Sequence, residues 1–361
     1  MFVESLELSN FRNYKSLNIC FDSGTNIFYG DNAQGKTNIL EAIYMGSTAK
    51  SHRGSRDKEI ICFGEEEAHI KMFVKKNNIS DRIDMHLKKS KAKGIAINGV
   101  PIRRASELMG ISNVIIFSPE DLNLIKNGPA DRRRFIDMEL CQLDRIYINN
   151  LSSYNRILMQ RNKLLKELVY KPEYADMIKI YDIQLVNYGK EIINRREQFI
   201  KELNDITVEI HSRLTGEKEK LKLVYEPDVP AKLFEKRLEE GFERDVRQKI
   251  SLTGPHRDDM MFISNDIDLR KYGSQGQQRS AALSLKLAEI ELVKRKTGDS
   301  PLLLLDDVLS ELDAGRQEHL LECITDVQTF ITCTGLDDFV NKHFKINKVF
   351  RVNNGMVTSE N

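Results

Sequence analysis

The most constraining feature of the sequence is an octapeptide near the N-terminus, residues 30–37. It is GDNAQGKT and matches the pattern G-x-x-x-x-G-K-T at every fixed position. The alternation and apolar spacing around it predict a strand at residues 26–29 and a helix at residues 37–44, which is the context that the pattern requires. Such a loop turns its backbone N–H groups toward a phosphate, and the start of the following helix adds positive potential. The octapeptide therefore predicts an α/β domain with a nucleotide-phosphate loop.

The side chains of the loop have distinct expected roles toward ATP and Mg²⁺, the two cofactors that the pattern implies. The predicted ATP-binding residues within the loop are Gly30, Asp31, Asn32, Ala33, Gln34, Gly35, Lys36 and Thr37. We expect Lys36 to face solvent in the nucleotide-free loop and to reach the β- and γ-phosphates of ATP. The Thr37 hydroxyl is expected to ligate Mg²⁺.

A second signal is an acidic pair at the end of an apolar strand. Residues 302–305 are all leucine and are followed by Asp306 and Asp307. A buried central strand of a P-loop sheet presents acids to the nucleotide in this way. Asp306 would hold Mg²⁺ through water, and Asp307 would orient or deprotonate the attacking water, which makes it the candidate catalytic residue. Taken alone, the pair could equally be an ordinary strand end at a turn.

A third signal is YGSQGQQRS at residues 272–280. Ser274, Gly276 and Gln277 stand at the start of a predicted helix, where a hydroxyl, free N–H groups and the helix dipole can meet an anion. An N-capped helix after a glycine turn is the competing explanation for this stretch by itself. The order of the three signals along the chain is more specific than any one of them.

That order, continued by SELD at residues 310–313, resembles the ABC-type ATPases, including the SMC-like branch that acts on DNA. Further stretches resemble the RecF family of bacterial recombination mediators and extend from one end of the chain to the other. They are LELSNFRNYKSL at residues 6–17, SHR at 51–53, SPEDLNLIKNGPADRRRF at 118–135 and TGPHRDD at 253–259.

The resemblance implies an ABC-type P-loop ATPase head with an N-terminal β-meander and an inserted helical domain. It makes residues 274–277 a signature motif, residues 310–313 a D-loop at a dimer seam, and Arg12 and Asn13 neighbours of the nucleotide. It also implies an ATP-dependent homodimer that binds single- and double-stranded DNA at gaps or junctions during replication, recombinational repair and SOS induction. RecR and RecO are the implied partners, in loading RecA.

Two departures from the ABC pattern lead us to expect slow hydrolysis. Asp307 stands where the pattern usually has glutamate, so its carboxylate is one methylene shorter. Residues 332–334 are Thr-Cys-Thr where a switch histidine is usual. We therefore expect at most a weak, DNA-stimulated ATPase that serves as a switch.

The period of the apolar residues predicts three parts of the chain. Residues 1–130 would form the first part of the ATPase domain and residues 251–361 its second part. Residues 131–250 would form a helical insert, and Asp131 would cap the helix at its start. Within the insert, apolar residues recur three or four apart, with a polar gap at Arg195 and Arg196. This pattern fits two long helices joined near residue 171, either as a short coiled coil or in a globular lobe.

The net charge excludes a globally basic protein, so any contact with DNA must be local. The chain has 55 basic and 54 acidic residues, whereas residues 71–104 alone contain ten Lys or Arg and two acids. Such a stretch could neutralise phosphates without reading sequence, or it could be a solvated, lysine-rich hairpin. The candidate DNA-binding residues are Lys88, Lys89, Lys91, Lys93, Arg103 and Arg104.

Five scattered cysteines and the lack of a long apolar run predict a reduced, cytoplasmic protein without a membrane segment. Two other functions remain as alternatives. The nucleotide-binding subunit of a membrane transporter would not explain the missing switch histidine or the helical insert. A small-molecule P-loop kinase would not explain residues 274–277.

Overall fold

The computed structural model describes residues 1–76, 79–168, 170–309, 313–324, 326–335 and 346–360 of the 361-residue chain. These residues fall into two compact units, Met1–Asp121 with Glu289–Asn361 and Leu122–Ala288. The unit bounds differ from the predicted domain borders at residues 130 and 250, and the three-part division stays a prediction. Most of the predicted D-loop, residues 310–312, lies outside the described residues.

The described strands, numbered along the chain, are β1 (Phe2–Phe11), β2 (Tyr14–Cys20), β3 (Thr25–Tyr29), β4 (Glu67–Lys76), β5 (Ile79–Lys88), β6 (Gly94–Ile97), β7 (Val100–Pro101), β8 (Val114–Phe117), β9 (Leu221–Glu226), β10 (Asp259–Ser264), β11 (Ile267–Asp268), β12 (Leu302–Asp306), β13 (Thr329–Cys333), β14 (Ile346–Asn353) and β15 (Met356–Glu360). The described α-helices are α1 (Lys36–Thr48), α2 (Asp57–Ile60), α3 (Asn123–Lys126), α4 (Pro129–Leu143), α5 (Arg145–Glu167), α6 (Tyr174–Leu214), α7 (Phe234–Glu240), α8 (Phe242–Gln248), α9 (Leu269–Tyr272), α10 (Gln275–Thr297) and α11 (Ala314–Cys323). Within the described ranges, none of these helices has the length and apolar character needed to cross a membrane.

The first unit contains an antiparallel sheet with the strand order β2-β1-β4-β5-β6-β7. Apolar and polar residues alternate along β4, so Met72 and Val74 are buried while Lys71 and Lys75 lie on the opposite, more exposed face. This period of two is what a sheet with one solvated face requires. The predicted N-terminal β-meander is confirmed.

The second sheet of this unit, with the order β15-β14-β3-β13-β12-β8, is parallel except for β15. Residues 302–305 of β12 are fully buried, as a central parallel strand should be. Helix α1 contacts β4 and β5 of the first sheet and β8, β12 and β13 of the second, and most of its residues are buried. The carboxyl ends of parallel strands meet at one edge, so the segments that follow β3, β12 and β13 come together.

The long helix α6 of the second unit packs along α5 and also against β9 and α7. Gly189 of α6 lies where a Cβ would come within 2.4 Å of the Phe234 ring in α7 and within 3.2 Å of Tyr154 in α5. The two long helices are therefore part of a globular unit, which decides between the two arrangements left open by the sequence.

The start of helix α4 differs from the sequence prediction. The helix begins at Pro129 after Gly128, so Asp131 lies in the first turn and does not cap it. Proline suits the first helical position because its missing N–H would have no partner there. The Asp131 carboxylate instead accepts a hydrogen bond from Asn127 Nδ2 at 2.7 Å.

The polar gap predicted in the helical insert is a buried ionic network centred on Arg196. The guanidinium is 2% exposed and donates to Asp258 Oδ2 and Asp137 Oδ1, each at 2.8 Å, and to Tyr147 Oη at 3.0 Å. Removing one partner of such a pair typically costs about 3–5 kcal/mol, because the other charge is left buried. Asp258 belongs to the TGPHRDD stretch, so part of the sequence that carries the family resemblance contributes to this buried ionic network.

Candidate nucleotide-binding site

The phosphate loop joins the end of β3 to the start of α1 with an unusual backbone. Gly30 and Gly35 have φ values of 145° and 115°, and Ala33 has a φ of 63°. A Cβ on Gly35 would lie 2.5 Å from Asn13 Nδ2 and 2.8 Å from the Tyr14 hydroxyl. Glycine is therefore required at position 35 both by the left-handed backbone and by close packing.

The hairpin between β1 and β2 holds the loop in place. Asn13 Nδ2 donates to the carbonyl of Gln34 at 2.8 Å, and its Oδ1 accepts from Asn38 Nδ2 at 2.8 Å. The Tyr14 hydroxyl donates to the carbonyl of Gly35 at 3.0 Å. The structure thus brings Asn13 to the loop, and its predicted place beside the nucleotide stays a prediction.

Arg12 hydrogen-bonds to a polar cluster beside the loop. Its Nε and Nη2 atoms donate to the two carboxylate oxygens of Glu41 at 2.8 and 2.7 Å, and Ser51 Oγ donates to the same carboxylate at 2.5 Å. Burial raises the pKa of Glu41, but these hydrogen bonds outweigh it and lower the pKa overall. Arg12 therefore connects the hairpin to α1, and its predicted role at the nucleotide stays a prediction.

Lys36 does not face solvent, and that expectation was wrong. The residue is 5% exposed, and its Nζ donates to the carbonyls of Gly30 and Asp31 at 2.5 and 2.8 Å. The carbonyls of the loop itself satisfy the ammonium group, which folds the side chain back across the loop. A phosphate entering the loop would replace these carbonyls as the acceptor of the Lys36 hydrogen bonds.

Thr37, Asp306 and Thr332 meet at the edge of the parallel sheet. The Thr37 and Thr332 hydroxyls both donate to Asp306 Oδ1, at 2.7 and 2.8 Å, and Asp306 as a residue is 7% exposed. Hydroxyl and carboxylate oxygens are the ligands that Mg²⁺ prefers. The residues present therefore fit the predicted metal position beside the phosphate loop.

Thr332 also fixes the next residue of the strand end, Asp307. Its hydroxyl accepts a hydrogen bond from the Asp307 amide at 3.0 Å, and Asp307 has a φ of 55°. Sequence reasoning had noted only that no histidine stands near Thr332. This role depends on the parallel pairing of β12 with β13, which places Asp306 opposite Thr332 and which no local sequence pattern reports.

A second feature that sequence reasoning missed is the half-buried imidazole of His52, near α1. Burial lowers the pKa of His52 to about 4, although the carboxylates of Glu41 and Asp306 oppose the shift. His52 Nδ1 is buried and has no hydrogen-bond partner among the described residues. The ring is therefore neutral at pH 7.

The signature residues lie at the start of α10, in the second unit. Ser274 Oγ accepts from the Gln277 amide at 3.2 Å, and Gln277 Oε1 accepts from the Ser274 amide at 3.0 Å. This reciprocal pair is a capping box. A Cβ on Gly276 would meet only Ser274 Oγ within 4 Å, at 3.9 Å. The described residues of this chain therefore give no steric reason for glycine at position 276.

The basic stretch is largely neutralised by acids from elsewhere in the sequence. Three of the six candidate DNA-binding residues form ion pairs: Lys88 with Glu67 at 3.6 Å, Lys89 with Glu66 at 3.3 Å and Lys93 with Asp57 at 2.8 Å. Lys91, Arg103 and Arg104 are exposed and form no ion pair within the part of the chain that the structure describes.

The two sheets around α1, the phosphate loop and the acidic strand end together define an ABC-type P-loop ATPase head. The chain belongs to the RecF/RecN/SMC N terminal domain family, whose model matches residues 2–358. It is 58% identical over 357 residues to the DNA replication and repair protein RecF of Agathobacter rectalis, with 99% of each chain covered. It is also 58% identical to the protein of that name from Lachnospira eligens, over 100% of both chains.

Solved structures agree with this assignment. A structure described as the recombination mediator protein RecF with ATP, in the RecFOR pathway, is 34% identical and has a TM-score of 0.94, covering 100% of this chain and 98% of that chain. The Smc head domain of Pyrococcus furiosus, at 17% identity and a TM-score of 0.58, shares the fold. The predicted family and fold class are confirmed. A role in DNA replication and repair is supported over that of a transporter subunit.

Proposed function

We propose that the chain is an ATP-switched DNA-binding protein of DNA replication, recombinational repair and SOS induction, acting in the cytoplasm. In this proposal ATP joins two copies, the dimer holds single- or double-stranded DNA at gaps or junctions, and RecO and RecR act with it in loading RecA. The observation that carries the proposal is the meeting of Thr37, Asp306 and Thr332 beside the phosphate loop. The relatives, named for DNA replication and repair, supply its biological setting.

The nucleotide would be bound by the loop residues 30–37. Backbone N–H groups would surround the phosphates, and Lys36 would exchange the carbonyls of Gly30 and Asp31 for phosphate oxygens. Thr37 and Asp306 would hold Mg²⁺, which supplies neutralisation of the charge on the phosphates when bound. Asn13 would keep the loop in its binding conformation through the Gln34 carbonyl.

Hydrolysis, where it occurs, would use Asp307 to orient the attacking water. The amide of Asp307 is anchored on Thr332, so the backbone position of this residue is fixed. Its carboxylate is one methylene shorter than that of the glutamate usual at this position. A poorly placed water lowers the rate of general-base catalysis. This supports a slow, DNA-stimulated ATPase in which binding, more than turnover, controls the protein.

The signature residues 274–277 would complete the site of a second copy. The capping box leaves a helix start with a hydroxyl at its surface, and Gly276 offers backbone without a side chain, so a phosphate can approach closely. Because a Cβ at position 276 would meet only Ser274 Oγ, at 3.9 Å, the glycine leaves room for an approach from outside. ATP would then be shared between the loop of one copy and the signature of the other.

Contact with DNA would involve phosphates and not base edges. Lys91, Arg103 and Arg104 are the candidates whose charge is not already paired, whereas Lys88, Lys89 and Lys93 would have to leave acidic partners. A few phosphate contacts give sequence-tolerant binding that weakens with salt. The unpaired group is therefore the first choice for the DNA-binding surface.

Mixed dimers of two inactive variants test the shared site. Lys36→Ala removes the phosphate ligand of a loop, and Ser274→Arg blocks the signature that a copy offers. Each variant alone forms dimers with two defective sites, whereas a mixed dimer has one site with both defects and one intact. If half the dimers are mixed and sites are independent, ATP turnover should recover to roughly a quarter of the parental value.

The matched control is Ser152→Arg, which places the same side chain at an exposed position of α5. It should leave the ATP turnover of the parent unchanged. Mixed with Lys36→Ala, it should give the same turnover as the parent protein mixed with Lys36→Ala. Isolated mixed dimers that are inactive in single turnover would contradict the shared site. Unchanged ATP affinity of Lys36→Ala would contradict the nucleotide assignment itself.

A further inference from the structure

Two histidines and a glutamate lie together on the more exposed face of the antiparallel sheet and are not part of the phosphate loop. His69 in β4 and His86 in β5 are directly opposite each other, and Glu67 precedes His69 by two residues on the same face. His86 is partly exposed and the other two are exposed. The proposed function uses none of the three.

The ligand atoms of these side chains converge. Glu67 Oε2 lies 2.9 Å from His86 Nε2, and Glu67 Oε1 lies 3.9 Å from His69 Nε2. The two imidazole rings are stacked, with centroids 3.9 Å apart and planes inclined at 24°. One potential ligand atom from each residue falls within 4.8 Å of the other two.

We propose that Glu67, His69 and His86 bind one divalent transition-metal ion of the zinc class. Two imidazole nitrogens and one carboxylate oxygen form a ligand set that Zn²⁺ uses when it keeps a fourth position open. Metal–ligand bonds of about 2.0–2.2 Å in tetrahedral geometry place ligand atoms about 3.4 Å apart. Glu67 and His86 are already closer than this, so His69 must approach them and the two rings must turn out of their stack.

The strands make this adjustment small. Both histidines belong to a continuous ladder of paired residues between β4 and β5, so their backbone positions are fixed before a metal arrives. Lys88 lies opposite Glu67, with its Nζ 3.6 Å from Oε2. A bound cation would displace this ammonium from the carboxylate, which exposes one further positive charge on the sheet.

The fourth metal position would open into a neighbouring hollow of about 380 Å³. Both histidines line this hollow, together with Lys71 and Asp84. Water or a small anion could complete the coordination there. This arrangement distinguishes the site from a closed structural zinc site, in which four protein ligands exclude solvent.

Calorimetric titration of the tag-free, full-length protein with Zn²⁺ in excess Mg²⁺ tests the proposal, because Mg²⁺ saturates the oxygen ligands near the phosphate loop. We expect one Zn²⁺ per chain. Loss of a supporting residue around a metal typically costs about 10–100-fold in affinity, so His69→Ala or His86→Ala should weaken binding by at least about tenfold. Co²⁺ should give the intense visible absorption of a tetrahedral site, which His86→Ala abolishes.

The matched control is His319→Ala in α11, which should keep both the stoichiometry and the Co²⁺ spectrum. Circular dichroism of each variant establishes that it is folded. Failure of the parent to bind Zn²⁺ would overturn the proposal. So would unchanged affinity in the double variant His69→Ala/His86→Ala, since the ion would then be held by other residues.

Discussion

Replacing Thr332 by valine should remove the hydrogen bonds that connect Asp306 and Asp307, at the end of β12, to the neighbouring strand β13. The hydroxyl donates to Asp306 Oδ1 at 2.8 Å and accepts from the Asp307 amide at 3.0 Å, and the residue is 1% exposed. Valine has nearly the same shape, so no cavity forms. The substitution therefore removes two hydrogen bonds while leaving the packing of β13 intact.

The expected cost follows from the nature of these hydrogen bonds. A bond to a charged group contributes about 1.5–3 kcal/mol, and a buried donor left without a partner costs about 1–3 kcal/mol. Because Asp307 is only partly buried, water can replace part of the second bond. We expect the free energy of unfolding to fall by about 2–3 kcal/mol in Thr332→Val and to change little in Thr332→Ser, which keeps the hydroxyl.

Urea unfolding of the parent and both variants measures this difference, and hydrogen exchange of the peptide containing Asp307 locates it. Faster exchange of that amide in Thr332→Val alone is the local signature. Affinity for Mg²⁺–ATP should fall about tenfold in the same variant, since about 1.4 kcal/mol of lost orientation at Asp306 corresponds to that factor. Equal stability and equal exchange in all three proteins would refute the role assigned to Thr332.

Three further predictions concern other residues of the site and the sheet. Asp307→Asn should slow ATP turnover while keeping ATP binding and the DNA-bound dimer; parental turnover would place the water on another residue. Burial holds the pKa of His52 near 4 in the folded protein, against 6.5 when unfolded, so the unfolded chain binds the proton more tightly. The free energy of unfolding should therefore fall by about 1–2 kcal/mol between pH 7.5 and 5. His52→Phe should reduce this fall. Neutralising Lys91, Arg103 and Arg104 together should flatten the slope of log affinity for DNA against log salt by up to about 0.9 for each DNA phosphate that is no longer neutralised; an unchanged slope would move the DNA site elsewhere.

Local patterns were sufficient to predict much of the first unit. The glycine positions of the loop, the alternation along β4 and the four leucines of β12 each express a requirement of the residue's immediate surroundings. The same is true of the helix starting at Gln275, whose capping pair lies within four residues. Periodicity and turn chemistry act over this range, so they can be recognised without a partner segment.

Long-range pairing explains what the sequence could not supply. Strand β14 joins the parallel sheet beside β3, with Ile346 opposite Thr25, and no local signal connects segments so far apart. The role of Thr332 depends on the register between β12 and β13 in the same way. Charge along the chain also does not show which lysines are paired, and some lysines of residues 71–104 meet acids such as Glu7 on the neighbouring strand β1.

The two halves of the candidate site differ in how far their own surroundings explain them. The loop is explained locally, since Gly35 is fixed by its backbone and by Asn13 and Tyr14, and Lys36 is held by the loop carbonyls. At the signature, the capping box explains Ser274 and Gln277, and a Cβ on Gly276 would have open space around it, with only Ser274 Oγ within 4 Å. The loop can therefore be formed by one copy alone, whereas in the proposed dimer the signature acts only when a phosphate held by the other copy approaches it. This is why assembly, and not the nucleotide pocket alone, is the property on which the proposed switch depends.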